Sequence, residues 1–93
     1  MIKRIESGIC AKALGGDYVF WVRNCAAELG LCGVVFTRND GSIKFIAEGE
    51  DKKLEKLTKK MERSSFFAPI ENFYVKWEEP KAEFSDFSVI HKK

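Results

Sequence analysis

The sequence has little of what most catalytic centres and metal sites require. Its single histidine, His91, stands next to the last two lysines, which excludes Ser-His, Cys-His and histidine-metal sites. Its three cysteines, at positions 10, 25 and 32, form no C-x-x-C pair. We interpret them as free thiols of a reducing compartment that act as small buried hydrophobic residues. We therefore predict no metal and no disulfide.

Long apolar runs and strong charge are also missing. No run approaches the roughly 20 residues of a membrane span, and the opening MIKRIESG has no apolar core of a signal peptide. A net charge of +2 gives little attraction to nucleic acid. With 93 residues, 45% of them hydrophobic, we expect one folded domain over residues 1–93, cytoplasmic and without a membrane partner.

The first third of the chain predicts a strand followed by a helix. IKRIESGICAKAL alternates in polarity, which indicates a strand with one apolar face that carries Ile5, Ile9, Ala11 and Ala13. After two glycines, DYVFWVRNCAAELG has apolar residues at helical spacing. Asp17 is the expected N-cap of this helix and Gly30 its expected C′ residue.

The rest of the chain predicts a hairpin, a second helix and two strands. Asn39-Asp40-Gly41 is a hairpin turn signal between two short strands. EDKKLEKLTKKMER predicts a helix whose buried stripe comprises Leu54, Leu57 and Met61. IENFYVKWEEP predicts a strand that ends at Pro80 and directs inward Phe73, Val75 and Trp77. FSDFSVI predicts a last short strand.

This order of elements, β-α-β-β-α-β with a short C-terminal strand, predicts an α+β fold. We expect a ferredoxin-like sandwich in which two helices cover one face of an antiparallel sheet. That fold has many unrelated functions, so the function has to be argued from the site.

A Gly-Gly turn between the first strand and the first helix is the main candidate site. Gly15 and Gly16 let the backbone curl, and the N-terminus of the helix presents N–H groups to an anion. The next residue, Asp17, places a negative charge where that anion would bind. The loop therefore has the form of a phosphate cradle with an unfavourable charge.

The stretch LGLCGVVFTRNDGSIKFIAEG resembles the acylphosphatase family. After the Leu-Gly-Leu turn, the family signature G-x-V-x-N-x-x-x-G-x-V-x-x-x-x-x-G is matched at Gly33, Val35, Gly41 and Gly49. The closing FSDFSV is similar to the family's F-x-x-F-x-I. The resemblance implies hydrolysis of the carboxyl-phosphate bond of acyl phosphates, by a small monomer that needs neither metal nor cofactor. In that family a loop V-Q-G-V-x-F-R holds the phosphate and an asparagine holds the attacking water.

This sequence departs from the family at both catalytic positions. The loop becomes ALGGDYV, and the resemblance implies an anion-binding segment made of Gly15, Gly16, Asp17, Tyr18 and Val19. Val19 stands where the family has its arginine, and Thr37 where it has its asparagine. We therefore expect little or no acyl phosphate hydrolysis, with weak binding of phosphate or an acyl phosphate-like anion, or binding of a partner.

Two other functions remain as alternatives. Arg23 lies one helical turn beyond Val19, so a displaced cation could keep an active acylphosphatase. An RNA-binding module of the same fold would carry stacking aromatics on its third strand. Here that strand, GSIKFIAEG, has one aromatic residue, and the alternation assigns it to the core. The lysines of the second helix are balanced by acidic residues, which is typical of a solvated face.

Overall fold

A computed structural model of the protein describes residues 1–11, 16–63 and 70–90. Over these ranges the elements follow in the predicted order, and the short C-terminal strand is present as predicted. They are β1 (Ile2–Ala11), α1 (Gly16–Glu28), β2 (Cys32–Thr37), β3 (Ile43–Glu50), α2 (Asp51–Glu62), β4 (Ile70–Glu78) and β5 (Phe87–Ile90). None of the helices in these ranges is long and apolar enough to cross a membrane.

The strands form one sheet in the order β4-β1-β3-β2-β5. The pairs β1–β3, β1–β4 and β2–β3 are antiparallel, whereas the short β5 runs parallel to β2. The sheet is thus mixed rather than wholly antiparallel. Because β3 separates β1 from β2 and opposes both, β1 and β2 run in the same direction. Their C-terminal ends therefore lie at the same edge of the sheet, which is also where α1 begins.

The core lies between the sheet and the two helices, as the ferredoxin-like prediction requires. The predicted stripe of α2, Leu54, Leu57 and Met61, is fully buried. Val22 and Ala26 of α1 are fully buried as well. The sheet contributes to this core the alternate residues Ile5, Ile9, Val35, Ile43, Phe45 and Ala47. Burial of one face of each element against the others is the main source of stability for a domain of this size.

The two ends of α1 differ from each other in how well they were predicted. At its C-terminus the amide of Gly30 donates to Ala27 O at 3.0 Å and that of Leu31 to Ala26 O at 3.0 Å, with Gly30 at φ 73. This is a Schellman motif, so the C′ prediction is confirmed. The N-cap prediction is wrong, because α1 begins at Gly16 and Asp17 lies inside its first turn. A carboxylate there is still favoured by the helix dipole.

Trp77 faces the helix side of the sheet as predicted but is not buried, since 46% of its surface is exposed. It lies opposite Ile5 on the helix side of the sheet, so its direction follows the alternation. However, β4 is an edge strand, and the helices pack mainly against the other four strands. Phe73 and Val75 reach the rim of the core and are partly buried, whereas Trp77 lies beyond the helices.

The cysteines are free thiols, as predicted, but they are not all buried. Cys25 is buried, Cys32 is partly buried and Cys10 is exposed. Cys10 lies on the face of the sheet that the helices leave open, because it alternates with the buried Ile9 of β1. The interpretation of Cys10 as a buried hydrophobic residue is therefore wrong.

Candidate functional site

The fold brings Val19 and Thr37, the two positions that the resemblance assigns to catalysis, to the same end of the molecule. Thr37 is the last residue of β2 and pairs with Ile43, whose side chain faces the helices. Thr37 therefore lies on the helix side of the sheet, at the edge where α1 begins. Its side chain is exposed. A hydroxyl there can hold a water, although it donates a single hydrogen bond where an amide donates two.

The first turn of α1 supplies the backbone donors of this site. The first amides of a helix have no partner within the helix, so those of Gly16 and its neighbours are the donors that an anion at this end would use. Asp17 in this turn is exposed and brings a negative charge to the same place. Gly15 and the rest of the predicted loop, residues 12–15, lie outside the described residues. Convergence of the amides from Gly15 to Val19 on one point therefore stays a prediction.

Tyr18 and Val19 belong to the core rather than to the solvent-facing side of the loop. Tyr18 is 2% exposed, its ring centroid lies 5.6 Å from that of Trp21, and its hydroxyl contacts Met61 Sδ at 3.7 Å. Val19 is 4% exposed and belongs to the same buried cluster. The side chain of Val19, at the position that the resemblance assigns to the family's arginine, thus packs inward.

Arg23 faces a different environment from Val19, although one helical turn separates them. Its side chain is exposed, and its Nη1 donates to Asn24 Oδ1 at 3.3 Å. Asn24 is exposed as well, so this pair lies on the solvent side of α1. To reach an anion at the start of α1, Arg23 would have to leave Asn24 and cross the first turn.

The aromatic residue of the third strand and the lysines of α2, the features relevant to RNA binding, lie where the sequence analysis expects them. Phe45, the aromatic residue of the third strand, is 1% exposed and packs in the core. It cannot stack on a base from the open face. The lysines of α2 are all exposed, as expected of a solvated face: Lys52, Lys53, Lys56, Lys59 and Lys60.

A buried charged cluster on the open face of the sheet was missed by the sequence analysis. Arg4 and Glu48 are 6% and 3% exposed, and Arg4 Nη1 donates to Glu48 Oε2 at 3.0 Å and to Glu83 Oε1 at 2.8 Å. The guanidinium also lies over the ring of Phe84, 5.6 Å from its centroid. The partners come from strands far apart in the chain and from the segment after β4, so no local pattern could have shown them.

The carboxylate of Glu48 is held by backbone as well as by Arg4. The amides of Lys81 and Ala82 donate to Oε2 and Oε1 at 2.8 and 3.0 Å, with Ala82 in the left-handed region at φ 54. Burial alone raises the pKa of Glu48, but the hydrogen bonds from Lys81, Arg4 and Ala82 outweigh it and lower that pKa. The cluster fixes the segment after β4 against the sheet. We assign it a structural role, since both carboxylate oxygens already accept hydrogen bonds from the protein.

Comparison with known proteins agrees with this arrangement. The sequence profile of the acylphosphatase family matches residues 15–89. The chain is 28% identical to the acylphosphatase of Mycolicibacterium smegmatis over 91% of this chain and 87% of the relative. It is 30% identical to that of Roseiflexus sp., over 88% of each chain. The crystal structure of acylphosphatase from Bacillus subtilis superposes with a TM-score of 0.86, and the match covers 97% of this chain and 99% of that one. At 21% identity this likeness shows the shared fold. The chain belongs to the acylphosphatase family.

Proposed function

We propose that this member of the family hydrolyses acyl phosphates little or not at all and keeps only weak binding of phosphate-like anions at the start of α1. The observation that carries the proposal is the burial of Val19. Its side chain is 4% exposed within the core, so the side chain at position 19 supplies neither a charge nor a hydrogen-bond donor to the site. The remaining donors are the backbone amides of the first helical turn, which can bind an anion but bring no full positive charge to the transferred phosphoryl group.

The loss in rate expected from the two substitutions is large. Removing one oriented donor to the transition state typically costs about 10²–10³ in rate. An arginine is permanently charged and can bind phosphate through two hydrogen bonds, so its absence belongs at the upper end of that range. Thr37 replaces the amide that would orient the attacking water, and Asp17 repels the substrate. We expect hydrolysis at least ~10³-fold below that of an intact relative.

The test is the steady-state hydrolysis of a small aromatic acyl phosphate by the wild-type protein, with an intact family member assayed beside it. Single variants Val19→Arg and Thr37→Asn should each recover little, and the double variant more, because groups that act on one transition state are not additive. Asp17→Val on the double variant should raise the rate further. The unfolding midpoint of each variant is measured in parallel, because Val19 is buried.

A wild-type rate equal to that of the intact relative would overturn the proposal without any variant. Arg23→Ala then decides whether a displaced cation has taken the catalytic role. Lys53→Ala is the matched control, since Lys53 is exposed and lies in the first turn of α2, at the edge of the sheet opposite the start of α1. A selective loss of activity in Arg23→Ala would establish the active-enzyme alternative.

A further inference from the structure

A hollow of about 210 Å³ lies on the open face of the sheet, opposite the helices. Its lining includes Gly8 and Cys10 of β1, Lys44 of β3, Tyr74 of β4 and Arg38 at the end of β2. Gly8 pairs with Lys44 on one side and Tyr74 on the other, so these three residues form one row across three neighbouring strands. The hollow is separate from Val19 and Thr37, which lie on the helix side.

The aromatic wall of the hollow depends on the glycine in the middle of this row. A Cβ at position 8 would overlap Cε1 of Tyr74, so the ring of Tyr74 lies over the backbone of Gly8. The strand below the ring is held in register by Ser7, whose hydroxyl donates to Tyr74 O at 2.7 Å. Tyr74 is nevertheless 43% exposed. A fixed ring with an open surface can stack on a planar group.

The lining of the hollow carries two cations, Arg38 and Lys44, and one carboxylate, Asp40. Arg38 is exposed and makes no side-chain hydrogen bond or ion pair with the described residues. Lys44 is partly buried, with its Nζ 3.3 Å from Oε1 of Glu6. As far as the described residues are concerned, the guanidinium of Arg38 therefore has its donors available, and Lys44 adds a second cation that Glu6 partly neutralises. Together they favour an anionic group over a neutral one.

The carboxylate of the lining is already used by the hairpin. Asp40 Oδ1 accepts hydrogen bonds from the Ser42 hydroxyl at 2.6 Å and from the Ser42 amide at 2.9 Å. These bonds from Ser42 lower the pKa of Asp40. The nearby positive charge of Arg38 lowers it further, but by less. The same turn is closed by the Arg38 amide, which donates to Ser42 O at 2.7 Å. The hydrogen bonds of the hairpin thus fix the backbone of Arg38 beside the hollow.

The size of the hollow limits the ligand. A buried apolar cavity of about 150 Å³ accepts benzene, whereas pockets for drug-sized ligands occupy about 300–1,000 Å³. At 210 Å³ the hollow has room for one ring with one small substituent, whereas a nucleotide would extend beyond it into solvent. We propose that it binds a small aromatic anion, with the ring against Tyr74 and a carboxylate or phosphate group on Arg38 and Lys44.

The test is a titration of the isotopically labelled full chain, followed by amide chemical shifts, with benzoate and phenyl phosphate as probes. Both should shift the amides of Gly8, Ser42, Lys44 and Tyr74 saturably, and their relative affinities distinguish a carboxylate from a phosphate ligand. Inorganic phosphate and benzyl alcohol test the anion and the ring alone, and each should bind more weakly than the combined probes. Bound probe should also slow the alkylation of Cys10, which lines the hollow.

Variants assign the contributions of the side chains. Arg38→Ala should weaken binding about tenfold, and Tyr74→Ala about fivefold. Lys76→Ala is the matched control, because Lys76 lies on the same face of β4 but does not line the hollow. Tyr74→Phe keeps the ring and should bind as the wild type does, which separates loss of stacking from loss of folding.

Three results would overturn the inference. They are shifts confined to residues 16–19, the absence of saturation below about 10 mM, and equal effects of Arg38→Ala, Tyr74→Ala and Lys76→Ala. None of these outcomes depends on acyl phosphate hydrolysis, so the inference and the proposed function fail separately.

Discussion

At the scale of single residues, Glu48 is the charge on which the protein depends most. We expect Glu48→Gln to lower the free energy of unfolding by about 3–5 kcal/mol. The change leaves the buried guanidinium of Arg4 without its main counter-charge. It also places the NH₂ group of the glutamine, a donor, against N–H groups that donate as well. Urea unfolding measures this. Glu6→Gln is the control: its ion pair with Lys44 is partly exposed, so the change should be below about 1 kcal/mol.

The same carboxylate predicts how stability depends on pH. The pKa of Glu48 is lower in the folded state than in the unfolded chain, where it is about 4.3. Its contribution is therefore present above that value and is lost as the pH falls through the lower, folded value. The difference in stability between the wild type and Glu48→Gln should narrow only below about pH 4. A difference that narrowed between pH 6 and 8 would assign the effect to another group.

The three thiols are predicted to differ in reactivity. Burial raises the pKa of the Cys25 thiol. Burial and the charge of Glu48 both raise the pKa of Cys32, whose Sγ contacts Glu48 O at 3.6 Å. Cys10 is exposed. A thiol reagent should therefore modify Cys10 rapidly in the folded protein and the other two only on unfolding. Rapid modification of all three in native buffer, or a disulfide in protein purified without oxidant, would contradict this.

At the scale of elements, the pairing of β2 with β3 depends on Gly33. A Cβ at this position, which has φ 153, would overlap the carbonyl oxygen of Ile46 on the facing strand. Gly33→Ala should therefore separate the strands and cost about 1–3 kcal/mol or more, measured by urea unfolding. Gly41→Ala is the control, since Gly41 at φ 87 has open space around its Cβ position and only the backbone strain of about 1–2 kcal/mol applies. Equal effects would show that packing against Ile46 contributes nothing.

The elements themselves were largely predictable because their signals are local. The stripe of α2, the Asn39-Asp40-Gly41 turn and the Gly30 cap each depend on residues within a few positions of one another. The direction of β5 and the exposure of Trp77 were not predictable, since both depend on which strand or helix lies alongside. The same holds for Arg4 and Glu48, which are 44 positions apart.

At the scale of the whole molecule, the packing of α1 on the sheet decides whether the family's site can be restored. Val19→Arg places a guanidinium in the core and should cost about 2 kcal/mol or more, by overpacking and by burial of a charge. Thr37→Asn lies on an exposed edge and should change stability by less than about 0.5 kcal/mol. Thermal unfolding compares the two. A Val19→Arg variant as stable as the wild type would show that position 19 can turn outward and would favour recovery of activity.

The sequence alone determined the family and the order of the elements, because each is written in residue types and in short spacings along the chain. The same spacings carry the prediction that Val19 and Thr37 stand at the family's catalytic positions. Tertiary structure decided that Val19 packs inward, that Arg23 faces solvent, and that Arg38, Lys44 and Tyr74 meet at one hollow. The physical reason is that burial and contact depend on how strands distant in sequence pair and on which face the helices cover. These follow from the packing of the whole chain, and no local spacing records them.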